Sequence, residues 1–172
     1  LLNENRAIVK AGLKLINADA KIGICALKKS TNSKAEHFSA TDVAFQICPR
    51  INAAGRMDTA NLAVDLLTCE DNEIAEYKAE QLNLENTHRH EVEEKIDNDI
   101  AEIMANDRAY QTDRVIVVAG HNYHKGVIGI CAAHLVELYS KPAIVIGIDD
   151  EGNATGSARS IDGFNIFEAI SS

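Results

Sequence analysis

Two short segments combine arginine with small residues: Arg50-Ile-Asn-Ala-Ala-Gly-Arg56 and Gly156-Ser-Ala-Arg-Ser160. Arginine carries a planar fork of N–H donors that matches a phosphate group. Glycine and alanine let a backbone come close to a ligand, and glycine adopts backbone angles that other residues resist. Two such segments in one chain suggest a phosphodiester strand gripped at defined points. In the first, Arg50 and Arg56 are expected on phosphates and Asn52 on a sugar or base, with Ala53-Ala54-Gly55 giving the backbone access. In the second, Ser157 and Arg159 stand two residues apart, so on a strand they share one face and could close on one phosphate, with Ser160 beside them. A terminal phosphate monoester, with about two negative charges, would be the strongest partner for such a pair. His124-Lys-Gly-Val-Ile-Gly129 is a third candidate, a turn between a strand end and a helix start, where backbone amides attract anions.

The sequence holds no D-H-H or H-x-D-x-D cluster, no P-loop and no G-x-S-x-G. No catalytic residue and no metal ligand is therefore assigned within this segment. His121 and His124 lack a carboxylate pair at fixed spacing, His88 and His90 read as solvated on a charged helix, and His37 and His134 carry no signal. Cys25, Cys48, Cys69 and Cys131 form no C-x-x-C pair and read as buried free thiols of a reducing, cytoplasmic compartment.

At 46% hydrophobic and 25% charged residues, the 172-residue chain can bury a core. No apolar run reaches the roughly 18 residues of a membrane span. The start, Leu1-Leu2-Asn3-Glu4, has neither a signal peptide nor an initiator Met and reads as part of a longer chain. Net charge is −9, and residues 70–108, with 13 acidic against 4 basic side chains, account for all of it. An acidic total therefore leaves room for a nucleic-acid partner elsewhere on the surface.

Positioning these residues requires an α/β fold: a helical N-terminal segment, a long connector helix, then a βαββα unit. Helices are expected over 3–17 with Asn3 as cap, over 22–29, and from Ser39-Ala-Thr-Asp42 to Cys48, stopping before Pro49. Arg50–Arg56 then reads as a loop, and Asp58 or Thr59 caps a helix through Leu67. From Asp71 to Asn106 no Gly or Pro interrupts, and Val92, Ile96, Ile100, Ile103 and Met104 recur at helical spacing. At 1.5 Å per residue this helix would be about 50 Å long, a connector between domains rather than a core element. Strands are expected over 114–119, 142–148 and 153–160, with helices over 127–139 and from 164. The boundaries are 1–70, the long acidic helix 71–107, and 108–172.

With these motifs in order, the chain resembles the RecJ family of single-stranded-DNA-specific 5′→3′ exonucleases, within the DHH phosphoesterase superfamily. Pro49-Arg-Ile-Asn-Ala-Ala-Gly-Arg56 carries the likeness most strongly, and His124-Lys-Gly-Val-Ile-Gly-Ile130 and Gly156-Ser-Ala-Arg-Ser160 follow. Asn3-Glu-Asn-Arg6 resembles a Gly-Glu-Asn-Arg element of the family, with Asn3 replacing glycine. The resemblance implies the end of a DHH domain, the connector helix and the first part of a DHHA1 domain. It implies Mn²⁺ or Mg²⁺ held by DHH motifs upstream of Leu1, and no metal in this segment. It places the 5′ phosphate of DNA on Ser157 and Arg159, and the DNA path along Arg50, Asn52 and Arg56. Single-stranded DNA is the implied partner, with a helicase or single-strand-binding protein besides, and DNA repair and recombination the implied setting. Competing expectations are a superfamily member acting on short oligonucleotides or cyclic dinucleotides, or a non-catalytic assembly module. The long connector and the Arg50–Arg56 motif favour the exonuclease.

Overall fold

The computed structural model describes residues 2–31, 33–57 and 59–171. Two compact units divide between Arg89 and His90, inside one uninterrupted helix.

The first unit is helical: α1 (Asn3–Asn17), α2 (Ile22–Ser30), α3 (Ala40–Asp42), a π-helical stretch (Val43–Ile47), α4 (Cys48–Arg56), α5 (Ala60–Leu67) and the first half of α6 (Asn72–Asn106). Ser39 caps α3 as expected: its hydroxyl accepts from the Asp42 N–H, and the Asp42 carboxylate accepts from the Ser39 N–H. Asn3 does not cap α1; it is the first helical residue, and Leu2 holds the cap position without a side-chain bond. Thr59 holds the cap position of α5, also without one, and Asp58 lies outside the described residues. Asp71 caps α6, its carboxylate accepting from the Ile74 N–H at 2.9 Å.

Two expectations fail together. The helix does not stop before Pro49, and Arg50–Arg56 is not a loop but most of α4. Pro49 sits in the first turn of α4, where a missing N–H costs nothing, and the π turn ahead of it absorbs the change of register.

The core of this unit joins Leu27, Phe38, Ile47, Ala54, Leu66 and Leu82. Asn17 holds Phe38 in it, donating to the Phe38 carbonyl at 2.9 Å and accepting from its N–H at 2.8 Å.

The second unit comprises the rest of α6, α7 (Ala109–Thr112), β1 (Ile116–His121), α8 (Ile128–Tyr139), β2 (Ala143–Ile148), β3 (Ala154–Arg159) and α9 (Ile166–Ser171). The sheet order is β1-β2-β3, with β1 and β2 parallel across α8 and β2–β3 a hairpin. Asp149 builds the hairpin turn, accepting the Glu151 and Asn153 N–H groups on Oδ1. Gly152 takes the left-handed conformation the turn needs, at φ 84°. Helix α8 packs on β2 and β3, and Ile116, Val118, Ala143 and Val145 are fully buried.

Helix α6 gives core residues to each unit: Ala75, Ala79 and Leu82 to the first, Ile96, Ile100 and Met104 to the second. Where its apolar stripe weakens, Asn86 and Arg89 are buried instead, and the Arg89 guanidinium donates to Asn86 Oδ1 at 3.3 Å. Among the described residues no helix is long and apolar enough to cross a membrane.

Candidate nucleic-acid interface

Pairing places Ser157 opposite Val145 and Arg159 opposite Ala143, so both project to the sheet face that α8 covers. What they meet there is an absence of side chain. A Cβ on Gly129, in the first turn of α8, would stand 2.9 Å from Ser157 Oγ and 3.2 Å from Arg159 Nη2. The His124–Gly129 and Gly156–Ser160 motifs thus meet at Gly129, bringing a hydroxyl, a guanidinium and the positive end of a twelve-residue helix together. Arg159 is exposed, with Nη1 donating to the Ala158 carbonyl at 2.9 Å, and Ser157 is half-buried. This arrangement is chemically suited to an anion.

His124 shapes the turn leading into α8. Its carbonyl accepts from the Val127 and Ile128 N–H groups, and its Nδ1 accepts from the Gly126 N–H at 3.1 Å. It lines a shallow pocket with Tyr123, Lys125, Asn153 and Thr155. Thr155 precedes Ser157 by two positions and shares its strand face, so His124 borders the same row of side chains. Ser160 serves the backbone: its hydroxyl donates to the Phe164 carbonyl at 2.6 Å and closes the turn after β3.

The loop holding His124 is anchored from below. The Tyr123 ring lies against Gly120, where a Cβ would come within 2.0 Å of it, and the Tyr123 hydroxyl donates to Asp99 Oδ2 on α6. Burial first, and Asp99 second, push the ionisation of this phenol upward.

The residues of α4 divide differently from the expectation. Ala53 and Ala54 are fully buried and serve the core rather than giving a ligand access to the backbone. Asn52 is exposed, and Arg56, four residues on, lies half-buried on the same helical face. Gly55 is exposed, and nothing lies within 4 Å of where its Cβ would stand. Arg50 turns toward its own unit: Nε donates to Asn83 Oδ1 at 2.9 Å and Nη1 to the Gln46 carbonyl at 2.5 Å. Burial lowers its pKa.

His134, silent in the sequence, is the main omission. Its Nδ1 lies 2.8 Å from Asp97 Oδ2, and its Nε2 lies 3.5 Å from Glu93 Oε1. Its spacing of three from Cys131 on α8, matched to the four between Glu93 and Asp97 on α6, was the signal available. Of the four cysteines only Cys131 is buried; Cys25, Cys48 and Cys69 are half-buried, and all four are free.

Gly129→Ala tests how these residues are held. The arginine tip can swing aside, but the serine hydroxyl must turn away. Folding stability should change little, since alanine favours the helix. Binding of a phosphate probe at this position should weaken about tenfold, the loss of one charge-assisted hydrogen bond. Calorimetric melting and fluorescence anisotropy on one preparation measure both effects.

The DHHA1 domain family matches residues 112–172. The Bacillus subtilis single-stranded-DNA-specific exonuclease RecJ is 40% identical over 172 residues, covering 99% of this chain and 22% of that protein. The Escherichia coli RecJ is 31% identical over 96% of this chain and 29% of its own length. The crystal structure of Thermus thermophilus RecJ in complex with Mn²⁺ superposes with a TM-score of 0.81 at 32% identity, over 98% of this chain and 24% of that one. A second structure of the same protein holds Mg²⁺. The chain therefore spans less than a third of the relatives it matches. Ser157 and Arg159, a hydroxyl and a guanidinium, do not fit a divalent cation, and no step through such an ion is assigned to them. Along nearly its whole length the chain is similar in sequence and in structure to part of RecJ exonucleases, and its residues 112–172 match the DHHA1 domain family.

Proposed function

We propose that this chain is the strand-positioning part of a metal-dependent 5′→3′ single-stranded-DNA exonuclease of DNA repair and recombination, working in the cytoplasm. The observation that carries the reading is the convergence of Ser157 and Arg159 over Gly129 at the start of α8. There the terminal 5′ phosphate accepts from the guanidinium fork and the serine hydroxyl and faces the helix N-terminus. His124 lines a pocket with Thr155, two positions before Ser157 on β3, and Ser160 closes the turn after that strand. Asn52 and Arg56, on the outer face of α4, contact the strand, while Arg50 secures α4 to α6 through Asn83. Gripping the terminal phosphate sets the direction of cleavage. Hydrolysis itself belongs to Mn²⁺- or Mg²⁺-binding residues outside these 172, so the isolated chain binds DNA without cutting it. A helicase or single-strand-binding protein would supply the unpaired strand.

The test compares a 5′-phosphorylated with a 5′-hydroxyl oligonucleotide of identical sequence. The phosphorylated strand should bind the chain at least about tenfold more tightly, and added salt should weaken both. Equal affinities would overturn the reading.

A further inference from the structure

The second unit holds a group of side chains that DNA positioning leaves unused. Glu93 and Asp97 stand four apart on α6, and His134 faces them from α8. One ligand atom from each lies within 4.8 Å of the others. Around a single ion with bonds of about 2.1 Å, tetrahedral ligands lie roughly 3.4 Å apart, so modest side-chain rotation closes the gap. All three residues are half-buried, which leaves one side open for solvent as a fourth ligand. The cluster also has an outer partner. The Cys131 thiol, on a fully buried residue one turn before His134, neighbours Asp97. A buried polar neighbour behind a carboxylate is common where that carboxylate ligates a metal.

We infer that Glu93, Asp97 and His134 bind one divalent transition-metal ion of the zinc class, clasping α8 to α6. Two carboxylates and an imidazole suit zinc, cobalt or manganese, and three protein ligands are too few for calcium, which takes six to eight oxygens. Magnesium favours an oxygen set without imidazole. His90 adds a nearby ring, its Nδ1 at 3.9 Å from Glu93 Oε2. The ion is structural in this account, holding the helix whose first turn meets Ser157 and Arg159.

Titrating the reduced chain with Zn²⁺ in a calorimeter should give one ion per chain and a rise in melting temperature. The double variant E93Q/D97N keeps the side-chain volumes and removes both anionic ligands. It should fold with the parent circular-dichroism spectrum, bind Zn²⁺ at least about 100-fold more weakly and lose the metal-dependent rise in melting temperature. H134A should lose binding to a similar degree, and C131S, which removes only an outer partner, should weaken it by about tenfold. No saturable binding by the parent chain would overturn the assignment. So would undiminished binding by E93Q/D97N, which would place the ion on the other cysteines or histidines.

Discussion

Replacing Arg159 with alanine is expected to erase the distinction between phosphorylated and hydroxyl 5′ ends. Affinity for the phosphorylated end should fall about 10- to 100-fold, and affinity for the hydroxyl end should hardly move. The magnitude follows from one charge-assisted, two-pronged contact, worth about 1.5–3 kcal/mol. It is not reduced by a cost in folding, because Arg159 is exposed and its bond within the chain goes to the neighbouring Ala158 carbonyl. Arg159→Lys separates charge from shape: it keeps the cation but loses the fork, and should fall between parent and alanine. Anisotropy with both oligonucleotides, run on parent and variants, measures the ratio. A ratio unchanged by Arg159→Ala would remove this residue from the site.

The largest effect on stability is expected in the other unit, from Gly23→Ala. Gly23 lies in α2 and is buried; a Cβ there would stand 2.1 Å from the Leu66 carbonyl oxygen and 2.9 Å from its carbon. These are backbone atoms of α5, so no rotamer relieves the clash and the helices must separate. Leu27 and Leu66, both fully buried, would lose contact with them. A cost of about 3 kcal/mol or more is expected, at the upper end of overpacking penalties. Gly12→Ala on α1 is the matching control: nothing lies within 4 Å of its Cβ position, and alanine should be neutral or stabilising. Urea unfolding followed by circular dichroism gives both values, and equal midpoints for the two variants would refute the packing argument.

The elements whose signal is local were legible in the sequence. The β-branched run of β1 and the unbroken span of α6 each appeared within a residue or two of where they lie. So did the pairing of Ser157 with Arg159, because alternation along a strand needs no tertiary knowledge. What could not be read depended on partners distant in sequence. Arg50, expected on a phosphate, also bonds within its own unit, its Nε donating to Asn83 Oδ1 from 33 residues away, a contact the sequence did not show. His134 was passed over because a weak spacing signal gains meaning only from Asp97, 37 residues before it on another helix. Ala53 and Ala54 resembled a ligand-approach motif, yet small residues also allow helices to pack closely, and here packing decides. Pro49 misled for a local reason: proline ends a helix from the inside but is welcome in a first turn, and the π stretch before it turns one position into the other.

Helix α8 carries Gly129 in its opening turn and His134 five residues later, about 8 Å along the axis at 1.5 Å per residue. A rod so short moves as one piece. A pull on its flank through His134 would then change the clearance above Gly129, and a load above Gly129 would reach His134. Thermodynamic reciprocity makes such an influence equal in both directions, so occupancy of either end would tune affinity at the other.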